Sequence, residues 1–367
     1  MRTVFVDQEW QFSAGTHPNP TPAAAIEAAI ASPGFGTVFT DHMVTIEWTE
    51  NEGWHNARLT NRKPFQINPA AAVLHYAQEV FEGLKAYKTQ DGAVALFRPE
   101  QNAARFIKSA ERLAMAPVPE SLFLQAIETL IKADKAWVPG GDGSLYIRPF
   151  QFASEAFLGV RPSHEYIFCV IASPVGPYFK GGQSAITVWV TDNYTRAASG
   201  GTGSAKCGGN YANSLLAQAE ASRNNCDQVV FLDAAEHRWI EELGGMNVFF
   251  VMSDDRLITP PLAGTILPGI TRNSVITLAR DSGLTVEETP YAFDQWREDV
   301  TAGKIVETFA CGTAAVISAI GKVRYAGGEF TIGTGAKGPI TQRLYEQLTG
   351  IQRGTATDKH GWIHRVT

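Results

Sequence analysis

The chain has 367 residues, enough for one or two domains with a sizeable core. Its 31 Lys and Arg against 37 Asp and Glu give a formal net charge of -6, without the basic excess that phosphate-backbone binding requires, so no nucleic-acid partner is expected. Charged residues make up only 19% and glycines number 34, a balance that suits a globular α/β chain and excludes disorder and coiled coil.

From Ser13 to Gly36 the chain is rich in Pro, Ala, Gly and Thr with little apolar periodicity, which predicts an irregular arm. Val44, Ile46 and Trp48 alternate as in a half-buried strand, and Leu84–Thr89 and Ala93–Phe97 flank Gln90-Asp91-Gly92 as a hairpin. Pro99 opens a helix with Phe106, Ile107, Ala110, Leu113 and Ala114 on one face, and a second helix follows with Leu124, Ile127, Leu130 and Ile131. Leu145–Phe152 and Tyr166–Ala172 return to strand character. The first half is therefore α+β.

SPVGPYFKGGQS, Ser173 to Ser184, breaks the pattern and reads as a linker. Beyond it, Ile186–Val190, Gln228–Asp233, Asn247–Met252 and Ile305–Ala310 read as strands, with helices near Asn213–Asn224, Thr271–Ser282 and Pro339–Leu348, giving an α/β second half. The expected organisation is an arm over 1–36, a small domain over 37–174, an interdomain loop over 175–186 and a larger domain over 187–367.

Cys169, Cys207, Cys226 and Cys311 lie far apart with no Cys-x-x-Cys, as expected of reduced thiols in a cytoplasmic protein. MRTVFVDQEW lacks the basic start and apolar stretch of a signal peptide, and no apolar run nears the roughly 18 residues of a membrane span, so no membrane association is expected. The eight histidines form no ligand constellation; His360 and His364 are spaced i,i+4 but lack a Glu or Cys framework, so no metal site is expected.

The most informative stretch is GGTGSAKCGGNYANSLLAQAEASRNN, where glycines crowd a single lysine, Lys206, ahead of a helical pattern. It fails the phosphate-loop spacing, having Ala205 before the lysine and Cys207 after it. It fails the dinucleotide fingerprint too, because Lys206 stands where the third glycine belongs. A lysine walled in by small residues suits Schiff-base chemistry with an aldehyde, since desolvation favours a neutral amine. Pyridoxal phosphate is the commonest such partner.

That cofactor needs a carboxylate at its pyridine nitrogen and donors for its phosphate. Glu241-Glu242 precedes a Gly pair and an apolar strand, and Leu267-Pro268-Gly269-Ile270-Thr271-Arg272 enters a helix whose free N–H groups suit an anion. Cys311-Gly312-Thr313-Ala314 offers a second tight turn. Each feature alone also fits an ordinary cap, strand end or surface acid.

In these features the chain resembles the branched-chain amino acid aminotransferases of the class IV, fold type IV pyridoxal phosphate enzymes. The resemblance runs through FGTVFTDHM (Phe35–Met43), LHYAQEVFEGLKAY (Leu74–Tyr87), LFRPEQNAAR (Leu96–Arg105), YIRPF (Tyr146–Phe150), VGPYF (Val175–Phe179), KCGGNY (Lys206–Tyr211), ELGGMN (Glu242–Asn247), LPGITR (Leu267–Arg272) and CGTAA (Cys311–Ala315). It implies a two-domain fold: a small α+β substrate-side domain and a larger cofactor domain with a pseudo-barrel sheet.

It further implies reversible, ping-pong transamination of leucine, isoleucine or valine with 2-oxoglutarate, giving branched 2-oxo acids and glutamate. Lys206 would form the internal aldimine with pyridoxal 5'-phosphate and shuttle the substrate proton. Tyr211 and Glu242 would serve the cofactor ring, and Arg105, Arg196, Ile270, Thr271 and Thr313 the phosphate. The pocket would draw on Phe35, Tyr76, Phe81, Tyr146 and Tyr178, with Arg148 pairing the distal carboxylate of glutamate and Thr313-Ala314 binding the α-carboxylate. The family implies a homodimer that completes the site. Where some relatives carry a Cys-x-x-Cys after the Gly-Thr-Ala turn, this chain has Ala315 and Ser318, although Cys207 or Cys311 could be oxidised singly. A D-amino acid aminotransferase or aminodeoxychorismate lyase of the same fold stays open as an alternative, as does a non-catalytic metabolite-binding module using the Gly-rich loop.

Overall fold

The structure is a computed structural model that describes residues 9–176 and 185–366. The described chain divides into two compact units. One holds the residues up to 176 together with Ala205–Gly208 and 351–366, and the other holds 185–204 and 209–350.

The first unit contains β1 (Ser13–Ala14), α1 (Ala23–Ala31), β2 (His42–Thr49), β3 (Gly53–Asn61), α2 (Ala72–Tyr76), β4 (Glu79–Phe81), β5 (Leu84–Lys88), β6 (Val94–Phe97), α3 (Pro99–Arg112), α4 (Glu120–Ala133), β7 (Ser144–Ala153) and β8 (Glu165–Val175). The second is built from β9 (Ile186–Val190), α5 (Gly208–Arg223), β10 (Gln228–Leu232), β11 (Ile240–Leu243), β12 (Asn247–Met252), β13 (Arg256–Thr259), α6 (Ile270–Asp281), β14 (Thr285–Glu288), α7 (Phe293–Thr301), β15 (Ile305–Gly312), β16 (Val316–Tyr325), β17 (Gly328–Thr331) and α8 (Pro339–Gln352). A last strand, β18 (Ile363–Val366), returns to the first unit.

The first sheet runs β1-β3-β2-β8-β7-β5-β6-β18, with β4 paired to β7. Strand alternation in β7 buries Leu145 and Ile147 in the core and leaves Tyr146, Arg148 and Phe150 half-buried on the opposite face. The core face is covered by α3 and α4, where Phe106, Phe123 and Phe168 meet with ring centroids 5.3 to 6.0 Å apart. Helix α3 begins with Pro99 at its first turn, has Glu100 near its N-terminus and ends on Arg112, each placed as backbone geometry and the helix dipole favour.

The second sheet runs β11-β10-β9-β16-β15-β12-β13-β14, with β17 paired to β16. Its apolar centre is Val230, Val248, Phe250, Tyr291 and Trp296, the Phe250 ring lying 4.7 Å from Tyr291 and 5.2 Å from Trp296. The strands and helices expected of both halves are present, several of them longer than their apolar pattern.

Two expectations need correction. The arm is not irregular throughout, because Ala23–Ala31 forms α1. Its sequence AAAIEAAIA is favoured by alanine's helix propensity alone and buries only Ile26, so it carries no periodicity to read. The stretch beginning at Ser173 is not linker at its start, since β8 continues to Val175 by pairing with Ser144. The C-terminal residues also join the first unit: β18 pairs antiparallel with β6, from Ile363 opposite Phe97 to Val366 opposite Val94, a register no local pattern encodes. Tyr178 lies outside the described residues.

Candidate active site

In the first unit, the lysine segment is held at every residue. Ala205 and Cys207 are buried in the core and leave Lys206 half-buried between them. The Lys206 N–H donates to Ser109 Oγ at 2.9 Å, and its carbonyl accepts the Phe81 N–H at 3.0 Å. The Gly208 N–H donates to the Glu79 carboxylate. The Lys206 Nζ stands 4.8 Å from the Phe81 ring centroid. The Arg148 guanidinium lies 4.8 Å from that same ring and 5.5 Å from Tyr146, whose hydroxyl receives its Nη2 at 3.3 Å. Phe35 meets Tyr146 edge-on at 5.4 Å.

Phe35, Phe81, Tyr146, Arg148 and Lys206 are therefore brought together, an aromatic cluster that carries an amine and a guanidinium. A methyl on Gly83 would come within 2.1 Å of the Tyr146 hydroxyl, so that tyrosine's position requires glycine there. Tyr76 does not join the group: it is exposed on α2 and its hydroxyl donates to the Leu158 carbonyl.

Arg105 is committed to a carboxylate that sequence reasoning missed. Its Nε and Nη2 reach the two oxygens of Glu82 at 2.7 and 2.8 Å, and Glu82 also accepts from Asn102 Nδ2 at 2.7 Å and the Gly83 N–H at 3.1 Å. Asn102, Arg105 and Ser109 follow helical spacing, so one face of α3 serves both Glu82 and Lys206. Burial alone raises the Glu82 carboxyl, but the charge and hydrogen bonds of Arg105, the charge of Lys206 and Asn102 outweigh it and hold it below the usual range. At Glu79 burial prevails and raises the carboxyl, with the Gly208 N–H and the Arg148 charge opposing. Neither acid carries a motif signal; only three-dimensional pairing reveals them.

The second unit gathers a separate set. Glu242 on β11 is buried, its Oε1 accepting the Leu267 N–H at 2.9 Å and lying 2.7 Å from Arg196 Nη1. The same Arg196 nitrogen donates to the carbonyls of Thr265 at 3.0 Å and Gly203 at 3.4 Å, while its buried Nε has no hydrogen-bond partner among the described residues. Arg196, expected at a phosphate, is here the partner of Glu242.

Asn247 Nδ2 donates to the Leu267 carbonyl at 3.1 Å, and a methyl on Gly269 would fall 2.0 Å from Asn247 Oδ1, so glycine permits this close approach. Helix α6 then starts at Ile270 and Thr271 with no side chain capping its first N–H groups. Asn247 stands opposite Cys311 in register, and Gly312-Thr313-Ala314 turns beside Met246, which a methyl on Gly312 would approach to 3.3 Å. Tyr211 packs its ring edge by the Gly244-Gly245 turn.

This donor set fits a phosphorylated pyridine. A buried carboxylate suits a ring nitrogen, and the uncapped N–H groups of a helix start suit a phosphate. Cys207 and Cys311 are both buried, and burial pushes the Cys311 thiol up to about 12 against the lowering effect of Arg272, which disfavours its thiolate. Among the described residues no group of His, Cys, Asp and Glu could hold a metal ion, and no helix is long and apolar enough to cross a membrane.

Known proteins are similar to this chain along most of its length. The family model for amino-transferase class IV matches residues 79–323. A branched-chain-amino-acid aminotransferase of Mycolicibacterium smegmatis is 54% identical over 361 residues, covering 97% of this chain and 98% of that protein. Among solved structures, the Escherichia coli branched-chain amino acid aminotransferase superposes with a TM-score of 0.73 at 29% identity, over 88% of this chain and 99% of that one. The branched-chain amino acid aminotransferase of Thermobaculum terrenum, in PLP-form, gives 0.70 at 27% identity, over 88% of this chain and 98% of that one. The chain belongs to the class IV aminotransferases and, within them, to the branched-chain amino acid aminotransferase family.

Proposed function

We propose that the protein transfers the amino group between leucine, isoleucine or valine and 2-oxoglutarate, by ping-pong chemistry, with pyridoxal 5'-phosphate as cofactor. The observation that carries this reading is the sharing of one aromatic ring by two cations: Lys206 Nζ and the Arg148 guanidinium each lie 4.8 Å from the Phe81 ring centroid. One site must take a branched aliphatic side chain and then a carboxylate. Aromatic walls serve the first and Arg148 the second.

Pyridoxal phosphate supplies an aldehyde carbon and an electron-withdrawing ring. Lys206 would hold that carbon through its amine and would serve as the general base for the substrate α-proton. The close hold on its backbone by Ser109, Phe81 and Glu79 fixes where that amine can reach. Glu242, buried and oriented by Arg196 and the Leu267 N–H, serves the ring nitrogen, and Tyr211 the ring oxygen. Within the second unit the start of α6 at Ile270 and Thr271, with Thr313, would hold the phosphate; in the first, Glu82 keeps the fork of Arg105, expected by resemblance to serve an anion, in one orientation. Arg196 acts on Glu242 first, whatever share of the phosphate it takes. Thr313 and Ala314 offer backbone N–H groups to the substrate α-carboxylate.

Exposed Tyr76 and Leu158 lie together on the surface of the first unit and suit burial against a second copy, in keeping with a homodimer. Four free cysteines accord with a reducing, cytoplasmic setting. A coupled assay of glutamate with a panel of branched 2-oxo acids tests the reading, alongside the near-visible absorbance of bound cofactor. Turnover of branched 2-oxo acids and its abolition in Lys206→Ala are expected; a colourless protein that takes up no pyridoxal phosphate would sink it.

A further inference from the structure

Strand β4 meets the lysine segment at two points. Besides the Phe81 N–H on the Lys206 carbonyl, the Glu79 carboxylate accepts the N–H of Gly208, the first residue of α5 and 129 residues away in sequence. That N–H is one of the donors every helix start leaves without an internal partner. Glu79 thus does from another strand what a capping side chain does locally. The approach is close: a methyl on Gly208 would fall 2.1 Å from Glu79 Oε1.

Glu79 and Phe81 are two residues apart on β4, so their side chains leave the same face of the strand. On that face Phe81 carries the Arg148 guanidinium. No carboxylate of the described residues forms a direct ion pair with Arg148, whose buried Nε has no hydrogen-bond partner among them. After burial and the Gly208 N–H, the Arg148 charge also acts on the Glu79 carboxyl and lowers it.

We propose that Glu79 is a positioning and specificity-determining residue: it pins the backbone at Gly208, two residues after Lys206, and supplies the counter-charge of Arg148 while the pocket holds an aliphatic side chain. A cation left without a counter-charge in an apolar pocket is costly, so Glu79 makes the aliphatic complex tolerable. A substrate with a distal carboxylate must compete with Glu79 for Arg148, which keeps the dicarboxylate from being bound too well. The two substrate classes are balanced by one side chain.

The inference rests on the transaminase reading above, and its test separates the two. Glu79→Gln keeps an acceptor for the Gly208 N–H and removes the charge. It is expected to lower KM for glutamate and 2-oxoglutarate and to raise KM for leucine, shifting their ratio about tenfold. Glu79→Ala loses the pin as well, and kcat for both substrates should fall about tenfold or more, with weaker uptake of pyridoxal phosphate in fluorescence titrations of the apoprotein. An active wild type whose Glu79→Gln variant shows no KM split, or in which both variants lose only kcat and Tm together, overturns the proposal alone. A wild type that turns over neither leucine nor glutamate overturns both.

Discussion

The two units each bury one arginine–carboxylate pair, and the pairs are built differently. In the first, Arg105 meets Glu82 through two nitrogens and two oxygens at 2.7 and 2.8 Å, with Asn102 and the Gly83 N–H completing the carboxylate. In the second, Arg196 Nη1 lies 2.7 Å from Glu242 and also donates to two backbone carbonyls, and its buried Nε has no hydrogen-bond partner among the described residues. A bidentate pair braced by an amide and a backbone N–H fixes geometry, since breaking it strands a buried charge. An arginine that shares its Nη1 with two carbonyls and leaves its Nε without a hydrogen bond holds its carboxylate in place while constraining it less. The first arrangement suits a support for other groups, and the second suits an acid that acts on a ligand.

Turnover offers the sharpest way to break this contrast. Glu242→Gln is expected to lower kcat by about a hundredfold or more, because a carboxamide cannot stabilise a protonated ring nitrogen, whereas Glu82→Gln should cost under about tenfold. Steady-state assays at saturating cofactor compare them, and equal losses would erase the distinction.

Stability comes next. Arg105→Lys replaces a planar fork by a point charge and should destabilise by about 2–4 kcal/mol in urea titrations, while Arg196→Lys, which replaces a guanidinium whose Nε makes no hydrogen bond among the described residues, should cost about 1 kcal/mol. A reversed order would show that the Arg196–Glu242 pair is the stronger support. The smallest effect concerns Cys311, opposite Asn247 in the second unit: with its thiol raised to about 12 by burial, native protein at pH 8 should label only slowly with a thiol reagent and fully once unfolded. Rapid labelling of the native state would show that this region opens readily.

Much of the fold was legible because its signals are local. The alternation of Tyr146, Ile147 and Arg148 announces a strand with two unlike faces, and the apolar face of α3 is written at helical spacing. Lys206 stands out by the glycines around it, although the roles of Arg148 and the pocket aromatics come only through the family resemblance. Helix α1 left no signal because alanine builds a helix without marking a buried face, and β18 left none because its partner β6 lies some 270 residues away.

The amino-acid sequence by itself determined which segments become strands and helices, which lysine stands among crowded glycines and which family the chain resembles, since propensity, period and motif are all properties of neighbouring residues. Only the tertiary structure decided that Arg105 answers to Glu82, that Arg196 answers to Glu242, and that Glu79 reaches the Gly208 N–H beside the lysine segment. Those choices follow from strand register and from which buried charges must be paired, and both are set by contacts between residues far apart in the chain.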